Sequence, residues 1–281
     1  MKTVRIIPRL DIKGPNLVKG IHLEGLRALG HPSNFAKFYY EQGADEILFM
    51  DVVASLYERN SLHDIISETA KSVFIPITVG GGIRTLDDIK NILRSGADKV
   101  SINTAAIKNP KFLYEASREF GSSTIVVSIE AIKNSKGEYQ AFVDNGREFT
   151  GIEVSQWAKK IQDLGCGEIV ITSVDREGTG KGFDIELCKL VMNSVTIPVI
   201  AHGGAGKKED IFEIFNNNII DSVSIASMFH YDSIKHLSYV NETAIEGNFD
   251  FINSGKKMKN LDPISLSDLK QYLKQKSIYC R

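Results

Sequence analysis

The chain has 281 residues, 42% of them apolar and 25% charged, with 34 Lys and Arg set against 35 Asp and Glu. That length accommodates one large domain or two small ones, and the composition is ordinary for a globular protein. A net charge of −1 gives no electrostatic ground for a nucleic-acid or membrane-surface partner.

The opening run MKTVRIIPRL enters a strand-like pattern at once. It has no long apolar core and no small-residue cleavage site, and no later stretch nears the roughly 18–20 apolar residues of a membrane span. A cytoplasmic location is expected. Cys166, Cys188 and Cys280 have neither metal nor disulfide spacing and read as plain thiols. No metal and no cofactor is expected.

Short apolar runs then recur along the chain: Val4–Leu10, Glu46–Asp51, Ile75–Val79, Asp98–Asn103, Thr124–Ile129, Glu168–Thr172, Ile197–Ala201 and Asp221–Ala226. Amphipathic stretches such as NFAKFYYEQG, LDDIKNILRSG and EDIFEIFNNN lie between them. Continuous apolar strands alternating with helices predict a parallel sheet covered on both faces. Eight such units predict a single α/β domain over residues 1–281, a (β/α)8 TIM barrel. A doubly wound open sheet is the other option, but RLDIKGPN after the first strand is not its glycine fingerprint.

Three connections stand out. DIKGPNLVKGIHLEGLRALGHPSN puts about twenty residues between the first strand and its helix, long for such a connection, and reads as a lid from which Lys19 reaches a phosphate. KNSKGEYQAFVDNGREFTG after the fifth strand reads as a hairpin with an Asn-Gly turn, lying over the rim. A polar insertion is expected near residues 241–262, before a last helix, SLSDLKQYLKQK, with leucines at i, i+3 and i+7.

The two halves of the chain echo each other at an offset of about 120 residues, which suggests a half-barrel built twice. Asp11 after the first strand is matched by Glu130 after the fifth, VGGGIR by AHGGAGK, and SINTA by SIASM. In such barrels the strand C-termini form the active face. Gly82 and Gly204 stand at strand ends just before helical segments, where backbone N–H groups can approach an anion. Asn103 and Thr104 on one side, Ala226 and Ser227 on the other, add donors and small side chains. Two phosphate cradles imply a substrate with a phosphate at each end. Asp11 and Glu130, between the cradles, suit proton transfer in opposite directions.

Jointly, RIIPRLDIKG, LVKG, ADEILFMD, PITVGGGIR, GADKVSINTAA, GCGEIVITSVDREGTGKGFD and HGGAG resemble the cyclase subunit of imidazole glycerol phosphate synthase, the HisF-like family of histidine-biosynthesis barrels. The resemblance implies a lyase that takes ammonia from a HisH-like glutaminase docked at the N-terminal face of the barrel. The chain itself has no G-x-C-x-G glutaminase motif. It further implies catalysis by Asp11 and Glu130, and one phosphate site at Gly82, Asn103 and Thr104. A second phosphate site falls at Gly204, Ala226 and Ser227, with Lys19, Glu177, Gly178 and His202 also against the substrate. Arg5, Glu46, Lys99 and Glu168 match the family's ring of charges at the ammonia entrance; by position alone, without the resemblance, they read as a salt-bridged plug.

Four rim positions depart from the family pattern: Glu130 and Glu177 stand in place of Asp, Arg9 in place of Cys, and His202 in place of Ser. His202 offers either a titrating imidazole or a plain hydrogen-bonding one. An intact entrance ring with altered rim acids also fits an ammonia-channelling subunit for amidation of a surface-polysaccharide sugar, with weak or no cyclase activity. A phosphosugar isomerase acting alone is a third option and has little use for the ring.

Overall fold

A computed structural model describes residues 3–54, 62–237 and 260–281. Eight parallel strands close on themselves: β1 (Arg5–Lys13), β4 (Ile47–Asp51), β5 (Ile77–Gly80), β6 (Lys99–Ile102), β7 (Ile125–Lys133), β10 (Glu168–Ser173), β11 (Val199–His202) and β12 (Ser222–Ile225), with β12 pairing back to β1. Each falls on one of the eight apolar runs. Closure removes both sheet edges.

Helices pack outside: α1 (Pro32–Glu41), α2 (His63–Thr69), α3 (Leu86–Arg94), α4 (Thr104–Lys108), α5 (Pro110–Phe120), α6 (Val154–Asp163), α7 (Ile185–Met192), α8 (Lys208–Asn216), α9 (Ser227–Leu237) and α10 (Leu266–Gln275). Their apolar faces join the outward faces of the strands in one large core that includes Phe35, Tyr39, Trp157 and Ile214. Each such side chain contributes about 1.5–3 kcal/mol on burial. The leucine stripe of α10 lies on that core as expected, Leu266, Leu269 and Leu273 being buried, and Ser265 caps the helix by accepting from the Asp268 N–H. Most of the insertion expected near 241–262 lies outside the described residues. No helix among the described residues is long and apolar enough to cross a membrane.

One expectation needs correcting. The first connection is not a loop but two antiparallel strands, β2 (Asn16–Ile21) and β3 (Glu24–Gly30), with β2 pairing onto β1 through Asp11 and Val18. The barrel strand therefore runs three residues past its expected end at Leu10. The hairpin after the fifth strand forms as read, with β8 (Tyr139–Val143) and β9 (Glu148–Glu153) added to β7. Both hairpins turn on two successive left-handed residues: His22 and Leu23 (φ 53° and 62°), and Asp144 and Asn145 (φ 53° and 63°). Asp-Asn-Gly advertises that turn in the sequence, whereas His-Leu does not, because such turns are dominated by Asn, Asp and Gly and leucine resists positive φ.

The duplication reaches into backbone detail. Adding 122 to Arg84, Thr85 and Asp88 gives Gly206, Lys207 and Asp210. In each set the aspartate accepts from the two preceding N–H groups, at 2.9 and 2.9 Å in one half and 2.8 and 3.0 Å in the other.

Candidate active site

Side chains alternate along a strand, so β1 sends Arg5, Ile7, Arg9 and Asp11 into the barrel in successive layers. The lowest layer is a closed ring of alternating charge. Arg5 pairs with Glu46 at 3.4 Å and with Glu168, and Lys99 pairs with Glu46 at 3.0 Å and with Glu168 at 2.9 Å. Thr78 donates to Glu46 and Arg5 to Ser222, tying the ring to neighbouring strands. Burial would lower the pKa values of Arg5 and Lys99, but the two glutamates outweigh it and hold both cations charged. Above the ring, Ile7, Leu48, Val126, Val170 and Ile200 form a small apolar cluster separate from the outer core. The four ring residues expected from the sequence thus meet at the N-terminal end.

At the other end, Asp11 and Glu130 both lie within their strands, inward and buried. They are not in the same state. Burial pushes the Glu130 carboxyl up to about 7, against the opposing pull of the Gly146 N–H, which donates to it at 2.7 Å, and of Arg9. Burial would raise Asp11 too, but Arg9, then Lys19, outweigh it and hold Asp11 below its ordinary value. One carboxyl is poised to carry a proton and the other to lack one.

Glu130 opens on a cavity of about 410 Å³ that is also lined by Gly82, Asn103, Thr104 and Arg84. Its floor is made by a glycine turn. A Cβ on Gly81 (φ 103°) would stand 2.3 Å from the Asp51 carbonyl oxygen, so only glycine lets the strand end bend this closely. The symmetric turn at Gly203 (φ 96°) would put a Cβ 2.6 Å from the Ser173 carbonyl oxygen. Gly178, Gly204, Ala226, Ser227, Glu177 and His202 do come together beside it, yet around a space of only about 10 Å³.

The β2–β3 hairpin lies against Gly178 at the edge of the second cradle, where Glu177 clamps it: its carboxylate accepts from the Leu23 N–H at 3.0 Å and pairs with Lys19, and its carbonyl accepts from the His22 N–H. Asn145 of the other hairpin donates to the Leu23 carbonyl at 3.0 Å, so the two hairpins meet over the mouth. Lys19, expected to reach a phosphate, is buried and paired with Glu177.

His202 does not titrate near neutrality. Burial, then Arg9, lowers it to about 3, so it is neutral at physiological pH. Its Nδ1 donates to the Ser224 carbonyl at 2.9 Å, and its buried Nε2 has no hydrogen-bond partner among the described residues. That nitrogen can accept from an N–H or O–H brought into the second cradle. Asn145 and Gly146, which the sequence reading did not single out as site residues, reach the mouth because the hairpin folds back; the turn dipeptide was the available signal. Among the described residues no cluster of His, Cys, Asp and Glu is disposed to hold a metal ion.

The family model described as "Histidine biosynthesis protein" matches residues 5–235. The chain is 58% identical over 210 residues to the imidazole glycerol phosphate synthase subunit HisF of Legionella pneumophila, a match spanning 75% of this chain and 99% of the relative. It is 45% identical over 234 residues to the subunit of that name in Alkaliphilus metalliredigens (83% and 93% of the two chains). With that of Lactococcus lactis subsp. cremoris the identity is 48% over 232 residues (82% and 90%).

Proposed function

The chain belongs to the histidine biosynthesis protein family, and we propose that it works there as the cyclase subunit of imidazole glycerol phosphate synthase, with Asp11 and Glu130 as its proton-transferring pair. The substrate is the formimino-aminoimidazole carboxamide ribonucleotide that carries a phosphate at each end. Ammonia joins it, water is lost, and the products are imidazole glycerol phosphate and an aminoimidazole carboxamide ribonucleotide. Nitrogen reaches the barrel from a separate glutaminase subunit docked at the N-terminal face. The relatives' own names, each a synthase "subunit", support such a partner. The ring of Arg5, Glu46, Lys99 and Glu168 then stands where ammonia enters.

Two groups must move protons in opposite senses as the new carbon–nitrogen bonds form and the old one breaks. Asp11, held ionised, takes a proton from the incoming nitrogen, and Glu130, which titrates at about 7 and so keeps its proton in about half of the molecules at neutral pH, gives one to the departing nitrogen. Gly82, Asn103 and Thr104 bind one phosphate in the open cavity. Gly178, Gly204, Ala226 and Ser227 bind the other once the β2–β3 hairpin lifts and Lys19 exchanges Glu177 for the anion. Neutral His202 accepts from the substrate between them.

The observation that carries this reading is the pair of buried carboxyls in one barrel mouth, Glu130 pushed up by burial and Asp11 held down by its bond to Arg9. The test is turnover of the bisphosphate nucleotide by the isolated chain with ammonium salts in place of the glutaminase. Release of both products is expected, and Glu130→Gln lowers kcat about 10²–10⁴-fold. A folded wild-type chain that releases neither product at high ammonium overturns the reading.

A further inference from the structure

Arg9 is a buried cation bonded directly to Asp11. It is 1% exposed, among the largest fully buried side chains of the molecule. A buried guanidinium is rare and must be paired. Its Nε donates to Asp11 Oδ1 at 2.7 Å, and one terminal nitrogen donates to Thr172 Oγ1 at 3.3 Å. The two acceptors are on different walls. Asp11 is on β1 itself, whereas Thr172 is on β10, which is separated from β1 around the barrel by β12 and β11. The guanidinium therefore spans the interior above the apolar layer of Ile7, Val126, Val170 and Ile200.

From this geometry, and resting on the cyclase reading of Asp11, we infer that Arg9 is a positioning residue: a bar across the barrel that fixes the orientation of the Asp11 carboxylate and so makes Asp11 the proton acceptor of the pair. A carboxylate on a strand end has two free torsions. The planar guanidinium, tethered at its far side to Thr172, removes that freedom by presenting Nε at a set angle. An alkylammonium lacks that planar fork, so lysine at this position supplies charge without orientation.

The electrostatic surroundings act the same way. Asp11 faces Arg9 on its own strand, Lys19 on β2, His202 on β11 and His230 on α9, while Glu177 and Glu130 act on Arg9. Lys19 is already committed to Glu177, and burial keeps both histidines neutral. That leaves Arg9 as the cation bonded directly to Asp11. Glu130 also feels Arg9, but through space, and its direct bond is to the Gly146 N–H. Removing Arg9 thus acts first on the acceptor and only second on the donor.

The experiment uses the full chain and three variants: Arg9→Met, which keeps length without charge; Arg9→Lys, which keeps charge without the fork; and Asp11→Asn, for assignment. The Asp11 carboxyl is followed by carbon NMR as the pH is lowered, and kcat and KM are measured with ammonium across the same range. Thermal unfolding confirms that each variant is folded. The inference predicts that Asp11 in Arg9→Met takes up its proton at least one pH unit above the wild type. It also predicts a kcat fall of about 10²-fold or more, a KM within about threefold of the wild type, and an acidic limb of the kcat profile shifted to higher pH. Arg9→Lys restores the Asp11 titration but recovers only part of kcat. An Asp11 titration unmoved in Arg9→Met overturns the inference, as does a kcat unchanged in a wild-type chain that turns over. A wild-type chain that does not turn over at all removes the cyclase reading instead, and the NMR titration still decides whether Arg9 governs Asp11.

Discussion

Glu130 shows how one side chain ties stability to chemistry. Its carboxyl titrates at about 7 in the folded chain against an ordinary value of 4.5, chiefly because it is buried. The folded state therefore binds the proton more tightly than the unfolded state does. The contribution is full below pH 4.5 and is lost as the pH rises through about 7, a difference of about 3 kcal/mol. Glutamine is isosteric and does not ionise. Chemical denaturation at a series of pH values should show Glu130→Gln equal to the wild type near pH 4 and more stable by a few kcal/mol at pH 8. Equal stability at both ends would mean that the carboxyl ionises freely in the fold.

At the scale of elements, the mouth is shaped by two hairpins, and Glu177 holds one of them. Glu177→Gln takes from Lys19, itself buried, the carboxylate it is bonded to. Such a loss costs roughly 3–5 kcal/mol. We expect a lower unfolding midpoint and faster proteolytic cleavage between Lys19 and Gly25, where the turn would leave the second cradle. The glycine turns give a second test. Gly81→Ala places a methyl 2.3 Å from a backbone oxygen at a φ that alanine resists, so the strand end must shift. Its expected signature is a raised KM for the doubly phosphorylated substrate with the barrel still folded, read by steady-state kinetics and circular dichroism. At the opposite face, Lys99→Met leaves Glu46 and Glu168 with Arg5 as their remaining partner in the ring. Turnover driven by glutamine through the partner subunit should fall more than turnover driven by added ammonium, and equal losses would remove the ring from the nitrogen route.

For the whole molecule, the barrel and its two acids were legible in the sequence because both are local signals. Eight apolar runs mark eight strands, and a charged residue closing such a run marks the rim. Half-barrel repetition was legible for the same reason, being a comparison of short motifs. What was not legible is the long-range pairing. That Lys19 would spend its charge on Glu177, 158 residues away, depends on how a hairpin lies over the mouth, and no spacing encodes it. The hairpin itself was hidden because its turn uses His22 and Leu23, and the fold, not local preference, imposes their backbone angles. Arg9 was visible as an odd residue at a strand end, but its bond to Asp11 and its reach to β10 belong to the closed barrel.

Ammonia-dependent cyclisation by an acid and a base set apart in protonation is the claim on which the rest depends. It is tested most directly by the pH dependence of kcat for the isolated chain, at saturating nucleotide and a fixed concentration of free ammonia. The account predicts a rate that falls as the pH rises through about 7, where Glu130 loses its proton, and a low, flat profile over that range in Glu130→Gln. The same falling limb in both proteins, at comparable rates, would contradict it.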